Sequence, residues 1–317
     1  MNQMKILTYL LTTLLLMTAC DLDEETFTFV SGEDVAASGS YDQLVAGAYL
    51  TLLFPFEWGN YHELVNFDCD YQTGPGWAFG SIGAGNFYNA GSNDNFYQYY
   101  NQSVHRANYH YSLVNMITTI PEKTKNNALG ELLFLKAWAQ FQLVQYFGPI
   151  PLFKSSISEG NVPEQPRASV SEVYEHIIET LKEAELLMIS RDDAEYQKGH
   201  VCRGSAKALL AKVYATIGSA SMKSGEITVK GGPGSVTNPD GTTSRLMPTP
   251  ITHEKNQVAG YEDFDSQEYY QLARDKALEV IQEGEFSLAT SQEELWSVAY
   301  KNGPEFIFCL QTINGNG

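Results

Sequence analysis

The chain has 317 residues, with 38 Asp and Glu against 20 Lys and Arg, for a formal net charge of -18. That excess of acid excludes ordinary nucleic-acid binding, which depends on clustered Lys and Arg, and 43% hydrophobic content with only 18% charged residues excludes a disordered acidic tail. Cys20, Cys69, Cys202 and Cys309 show no C-x-x-C spacing, so neither a zinc knuckle nor a thioredoxin-type pair is written here.

In chain order, residues 1–19 read as an export signal. Lys5 supplies the positive start, residues 6–16 a short apolar run, and Thr18 and Ala19 the small residues ahead of a cleavage point. The run is shorter than the about 20 residues a spanning helix needs. Met17-Thr18-Ala19-Cys20 resembles a bacterial lipobox, which implies that Cys20 is acylated, palmitate included, and becomes the mature N-terminus. The alternative is an ordinary secretory signal with an incidental cysteine. Residues 20–40 read as a linker that opens on Asp21, Asp23, Glu24 and Glu25. This acidic run is either a solvated tether or a counterpart of the surface-export signal it resembles in outer-membrane lipoproteins of Bacteroidetes-type bacteria.

The body, 41–317, is mainly helical by its period of 3.6. Tyr41, Leu44, Val45, Ala48 and Leu52 share a face, which ends at Phe54-Pro55. Residues 57–95 hold many glycines and aromatics without lasting periodicity and read as a long loop insertion, a kind that is often functional. Helical spacing returns at Val104, Ala107, Tyr111, Val114 and Ile117 and stops at Pro121; residues 128–147 are then apolar almost all round, a pattern that requires cover on several sides. Gly148-Pro149-Ile150-Pro151 ends that helix. A capping box at Ser169 and Glu172 starts the next helix, with the stripe Val173, Ile177, Leu181, Ala184 and Met188. Further helices are expected over 199–217 and 268–283, separated by a second insertion at 219–266 rich in turn signals. Helices of similar length in antiparallel pairs suggest a tetratricopeptide-like solenoid with long loop insertions and minor β structure. Residues 305–311 read as a short strand. Trp138 and Trp296 are expected in the core, and Cys69, Cys202 and Cys309 as buried thiols.

The sequence holds no His-Glu-x-x-His, phosphate-binding Gly-Lys-Ser/Thr loop or Gly-x-Ser-x-Gly. His62, Glu63, Asp68 and Asp70 can be drawn as an acid/base or metal cluster, but loops rich in acids produce such groupings by chance. No enzyme activity, cofactor or metal is expected.

The segment from Gly130-Glu131 through Phe134-Leu135-Lys136-Ala137 to Tyr146-Phe147-Gly148-Pro149-Ile150-Pro151-Leu152 resembles the Gly-Glu-x-x-Phe-Leu-Arg-Ala helix and Tyr-x-Gly-x-x-Pro-Leu turn of the SusD/RagB outer-membrane lipoproteins. Lys136 stands where that family usually has Arg, keeping the charge without the planar fork. Leu22-Asp23-Glu24-Glu25, the aromatic-rich run to Asn108, Ala206-Lys207-Ala208-Leu209-Leu210-Ala211-Lys212-Val213-Tyr214, and the blocks at 269–288 and 305–311 are similar to family elements in the same order. The resemblance implies a SusD-like helical fold. It also implies a lipid-anchored protein of the cell outer membrane, facing outward, that captures oligosaccharide without catalysis and delivers it to a SusC-like TonB-dependent transporter for polysaccharide utilization. Three alternatives remain: capture of peptide, a protein-interaction solenoid without its own ligand site, and a lipid-anchored glycoside hydrolase. Family members continue well past residue 317, so this chain is expected to be the front part of a longer protein. Sugar rings stack on flat aromatics, and their hydroxyls need amide partners. Tyr71, Trp77, Phe79 and Tyr88, interleaved with Asn86 and Asn89, are therefore the expected glycan-binding residues.

Overall fold

The structure, a computed structural model, describes residues 31–59, 91–157, 164–230, 235–245 and 250–310. Residues 31–40, expected as the end of the linker, instead open the fold with helix α1 (Gly32–Ala37). A reciprocal cap starts it: Asp34 N donates to Ser31 Oγ at 3.0 Å and Ser31 N to Asp34 Oδ2 at 3.2 Å. Ala36 joins the core, and Tyr109 Oη donates to Glu33 Oε1 at 2.9 Å. Helix α2 (Tyr41–Thr51) buries Leu44, Val45 and Ala48, and a 3-10 turn, Phe54–Gly59, follows at the proline step.

Four long helices follow as an antiparallel series, α3 (Gly91–Met116), α4 (Glu122–Phe147), α5 (Val170–Leu187) and α6 (Arg203–Ala220), with α7 (Ser266–Glu283) packed outside α6. Contacts at the helix ends fix the directions. Phe96 and Tyr97 at the start of α3 meet Tyr146 and Phe147 at the end of α4, with ring centroids 4.7 and 5.1 Å apart. Asn127 Oδ1, early in α4, accepts from Ile189 N just past α5 at 3.0 Å. Arg203 N donates to Ile189 O at 2.8 Å, and Ser266 Oγ donates to Gly218 O at 2.6 Å. The start of α3 at Gly91 shortens the expected loop by five residues. Its first turn reads Gly-Ser-Asn-Asp, weak helix formers, but Phe96 and Tyr100, both fully buried, hold the turn on the core.

Helix α4 is the central element, buried almost continuously from Ala128 to Val144. Gly130 lets α5 approach, because a Cβ there would stand 2.6 Å from Met188 Cγ. The helix stops at Gly148, whose φ of +65° favours glycine, and Ile150–Pro151 (β1) pairs antiparallel with Arg167–Ala168 (β2). At the cap of α5, Ser169 N donates to Glu172 Oε2 at 2.7 Å and Glu172 N to Ser169 Oγ at 3.2 Å. Lys207 on α6 is ringed by Glu185 of α5 and by Glu279 and Glu283 of α7, tying three helices together.

The insertion between α6 and α7 folds as antiparallel ribbons. Strand β3 (Ser224–Lys230) pairs with β6 (Pro250–Asn256), and β4 (Ser235–Thr237) with β5 (Thr243–Arg245). Gly241, at φ +81°, closes the turn that the sequence marks at Asn238.

The C-terminal expectations need correction. Residues 305–310 are not a strand but an irregular run of turns and bends. Their carbonyls are taken by side chains instead of a neighbouring strand, with Arg191 Nη1 donating to Phe306 O at 3.1 Å and Ser205 Oγ to Ile307 O at 2.8 Å. Phe308 packs on Phe134 and Trp138 with centroids 5.2 and 5.8 Å apart, so Trp138 does lie against the core. Trp296 does not. It caps the single-turn helix α8 (Gln292–Leu295) and is 76% exposed, because one turn of helix has no continuous apolar face to bring it inward. Cys202 is buried as expected, whereas Cys309 is only half-buried, on a cavity wall.

Candidate functional site

Gly59 and Gly91 bound the aromatic, glycine-rich stretch, and the described structure places a groove of about 300 Å³ between the 3-10 turn and α3. Gln102 and Arg106 stand exposed one turn apart on α3, with Tyr109 a further turn along. Phe54 faces them, its ring 5.8 Å from that of Tyr99. His105 packs on Phe153 at 4.6 Å, and burial lowers its pKa, so it presents a neutral imidazole. Half-exposed rings beside an amide and a guanidinium offer both stacking faces and hydrogen-bond donors, which suits a hydroxyl-rich ligand. Sequence reasoning saw the aromatic character of this helix but not this face. Its signal is the spacing of Tyr99, Gln102, Arg106 and Tyr109 by three, four and three residues, polar and aromatic where a core stripe would be aliphatic.

A second cluster lies where α2, α4 and the segment before α6 meet. Glu131 Oε2 accepts from Tyr49 Oη at 2.8 Å and pairs with His200 Nδ1 at 2.8 Å, while Oε1 accepts from Asn127 Nδ2 at 2.9 Å. Tyr49 Oη in turn accepts from Val201 N at 2.8 Å. The hydrogen bond from Glu131 raises the pKa of His200 against the opposing effect of burial. Burial, reinforced by the Glu131 charge, drives the Tyr49 phenol well above its ordinary range. His200 borders cavities of about 320 and 240 Å³. The pair resembles a catalytic dyad in composition only. The carboxylate is spent on three donors, and the thiols of Cys202 and Cys309 are pushed up by burial, the opposite of an activated nucleophile. The cluster is a joint. Its partners lie 82 and 69 residues apart in sequence, which is why the sequence did not reveal it.

The expected glycan residues Tyr71, Trp77, Phe79, Asn86, Tyr88 and Asn89 lie outside the described residues, as do Cys20, Cys69, His62, Glu63, Asp68 and Asp70. Among the described residues no group of three His, Cys, Asp or Glu side chains is placed to hold a metal ion.

The antiparallel series of helical pairs, with ribbon insertions and a polar–aromatic groove at one end, is a mostly helical, tetratricopeptide-like scaffold. Residues 81–215 match the family described as SusD-like, starch-binding and associating with the outer membrane. Its fold is similar to a SusD superfamily protein from Parabacteroides distasonis, with a TM-score of 0.63 and 22% identity over 86% of this chain and 50% of that one. It is likewise similar to a SusD homologue from Bacteroides thetaiotaomicron, with a TM-score of 0.62 and 20% identity over 86% of this chain and 46% of that one. A structure solved with xylogluco-oligosaccharide matches at TM-score 0.62 and 19% identity, over 86% of this chain and 46% of that one. The chain thus spans about half the length of the solved structures it matches. No curated protein matches the sequence.

Proposed function

We propose that this protein is a non-catalytic surface lipoprotein that captures oligosaccharide and passes it to a SusC-like TonB-dependent transporter in the outer membrane. The match of residues 81–215 to a starch-binding, outer-membrane-associated family carries the reading. The groove of Phe54, Gln102, Arg106 and Tyr109 supports it, because it offers the stacking faces and polar partners that sugars need at the base of the aromatic stretch. In this reading residues 1–19 are the export leader, Cys20 carries the acyl chains, and the acids after it form the tether. Each buried methylene of the anchor contributes about 0.8 kcal/mol of membrane affinity. Ligand then contacts Tyr71, Trp77, Phe79, Asn86, Tyr88 and Asn89 together with the described groove.

Calorimetric titration with malto- and xylogluco-oligosaccharides tests the capture step. We expect saturable binding to one glycan class and loss of at least tenfold in affinity for Trp77→Ala, the tryptophan whose immediate sequence neighbours are glycine and alanine. An unchanged affinity in that variant removes the site assignment. Absence of binding to any neutral glycan removes capture and favours an interaction module. Incorporation of labelled palmitate that disappears in Cys20→Ala tests the anchor.

A further inference from the structure

Helix α7 is the last long helix among the described residues, and it carries two apolar faces. The first is covered. Tyr269, Ala273, Lys276 and Val280, spaced by four, three and four residues, turn toward α6 and α5. Ala273 and Val280 are buried, the Tyr269 ring lies 5.9 Å from that of Tyr214 on α6, and Lys276 Nζ pairs with Glu185 Oε2 on α5 at 3.3 Å. The second face runs about 100° further round, at 3.6 residues per turn. It holds Tyr270, Ala277, Leu278 and Ile281, of which Tyr270 and Leu278 are each 40% exposed and Ile281 is 70% exposed. Arg274 interrupts it, with its guanidinium paired to Asp275 at 3.0 Å.

Scattered apolar side chains on a surface need no explanation, but a stripe in helical register does. A helix that serves one core has one apolar stripe and polar residues elsewhere. The segment after α7 continues in the same manner, with Leu288, Trp296 and Val298 exposed. Earlier helices of the series have a neighbour on each side: α4 lies between α3 and α5, α5 between α4 and α6, and α6 between α5 and α7. Helix α7 has α6 on one side, and no element of the described residues packs extensively on its second face. In a stacked helical array each unit buries its face on the next, and an end unit has a polar outer side. The second face of α7 is not an end of that kind.

We propose that this face is the docking surface for a further amphipathic helix of the same polypeptide, encoded after Gly317, which lies antiparallel to α7 and continues the series. The solved structures that share this fold have about twice the length of this chain, which provides for such an element. A second copy of the chain is the less favourable occupant, because joining two chains that each carry a net charge of -18 sets like charge against like. The assignment does not depend on which ligand the protein captures.

The test compares the 317-residue chain with the chain read from the same gene to its own stop codon. Hydroxyl-radical footprinting read by mass spectrometry should label Tyr270, Leu278 and Ile281 about fivefold less in the longer chain, with Ile227 and Ile251 on the exposed ribbon labelled alike in both. Ile281→Glu, at an exposed position, should leave the urea midpoint of the 317-residue chain unchanged and lower that of the longer chain by about 0.5 M. A stop codon directly after Gly317 overturns the assignment. Equal labelling of the three residues in both chains also overturns it, as does an equal loss of midpoint in both. A stable dimer of the 317-residue chain that Ile281→Glu dissociates would give the face to a second copy and overturn it as well.

Discussion

Tyr49 shows how one oxygen can hold distant parts of a chain together. Its hydroxyl donates to Glu131 on α4 and accepts from Val201 N ahead of α6, so its loss leaves a buried N–H without a partner and a buried carboxylate short of one donor. A buried polar group left unsatisfied costs about 1–3 kcal/mol. Tyr49→Phe should therefore lower unfolding stability by about 2–3 kcal/mol in a urea melt. Tyr99→Phe, at a half-exposed ring, should stay within about 0.5 kcal/mol of the parent, and equal effects from the two would refute the joint. Nothing in the local sequence reveals this role, because Tyr49 reads as one more aromatic on an amphipathic helix. Trp296 misled in the opposite sense. Its size argues for burial, but a single turn of helix cannot carry it to the core.

Elements were more legible than residues. The long apolar run of α4, the stripe of α5 and its capping box are local patterns, and local patterns determine where a helix forms. Boundaries depended on tertiary contacts: aromatic packing starts α3 five residues early, and the apolar alternation at 305–310 serves Phe308 against two aromatic rings instead of a sheet. Helix α4 also carries a defect that only the packed state exposes. Gln140 is 99% buried by complement of its 1% exposure, and neither end of its amide has a hydrogen-bond partner among the described residues. Burying an unsatisfied amide costs about 1–3 kcal/mol, and Leu has nearly the same bulk and a similar helix propensity. Gln140→Leu should therefore raise stability by about 1–2 kcal/mol, read as a higher urea midpoint at unchanged slope. A lower midpoint would mean that the amide is satisfied in solution.

At the scale of the whole molecule, the histidines fall into two classes whose pH responses oppose each other. His200 has its pKa raised by Glu131, so its contribution is fully present below the unfolded value of about 6.5 and is lost as pH rises through the folded value. His105, His110 and His176 have theirs lowered chiefly by burial, His176 to about 3. Below about pH 6.5 the unfolded chain takes up protons that these folded imidazoles refuse, so their contribution is lost as pH falls. Carboxylates whose pKa values are lowered by caps and pairs, Glu33, Glu172 and Asp193 among them, lose their contribution only at still lower pH. The window from about pH 6.5 to about 4.5 therefore belongs to the buried histidines. Reduced self-repulsion of the acidic surface acts the other way in the same window, so total stability alone does not isolate the histidine effect. The difference between the parent and His176→Gln does, because the surface charge is common to both. With stability measured by urea melts at half-unit steps, the variant should gain on the parent as pH falls from about 6.5, the gain levelling off near the folded value. A difference that stays constant across the window would show that His176 is not held neutral in the fold.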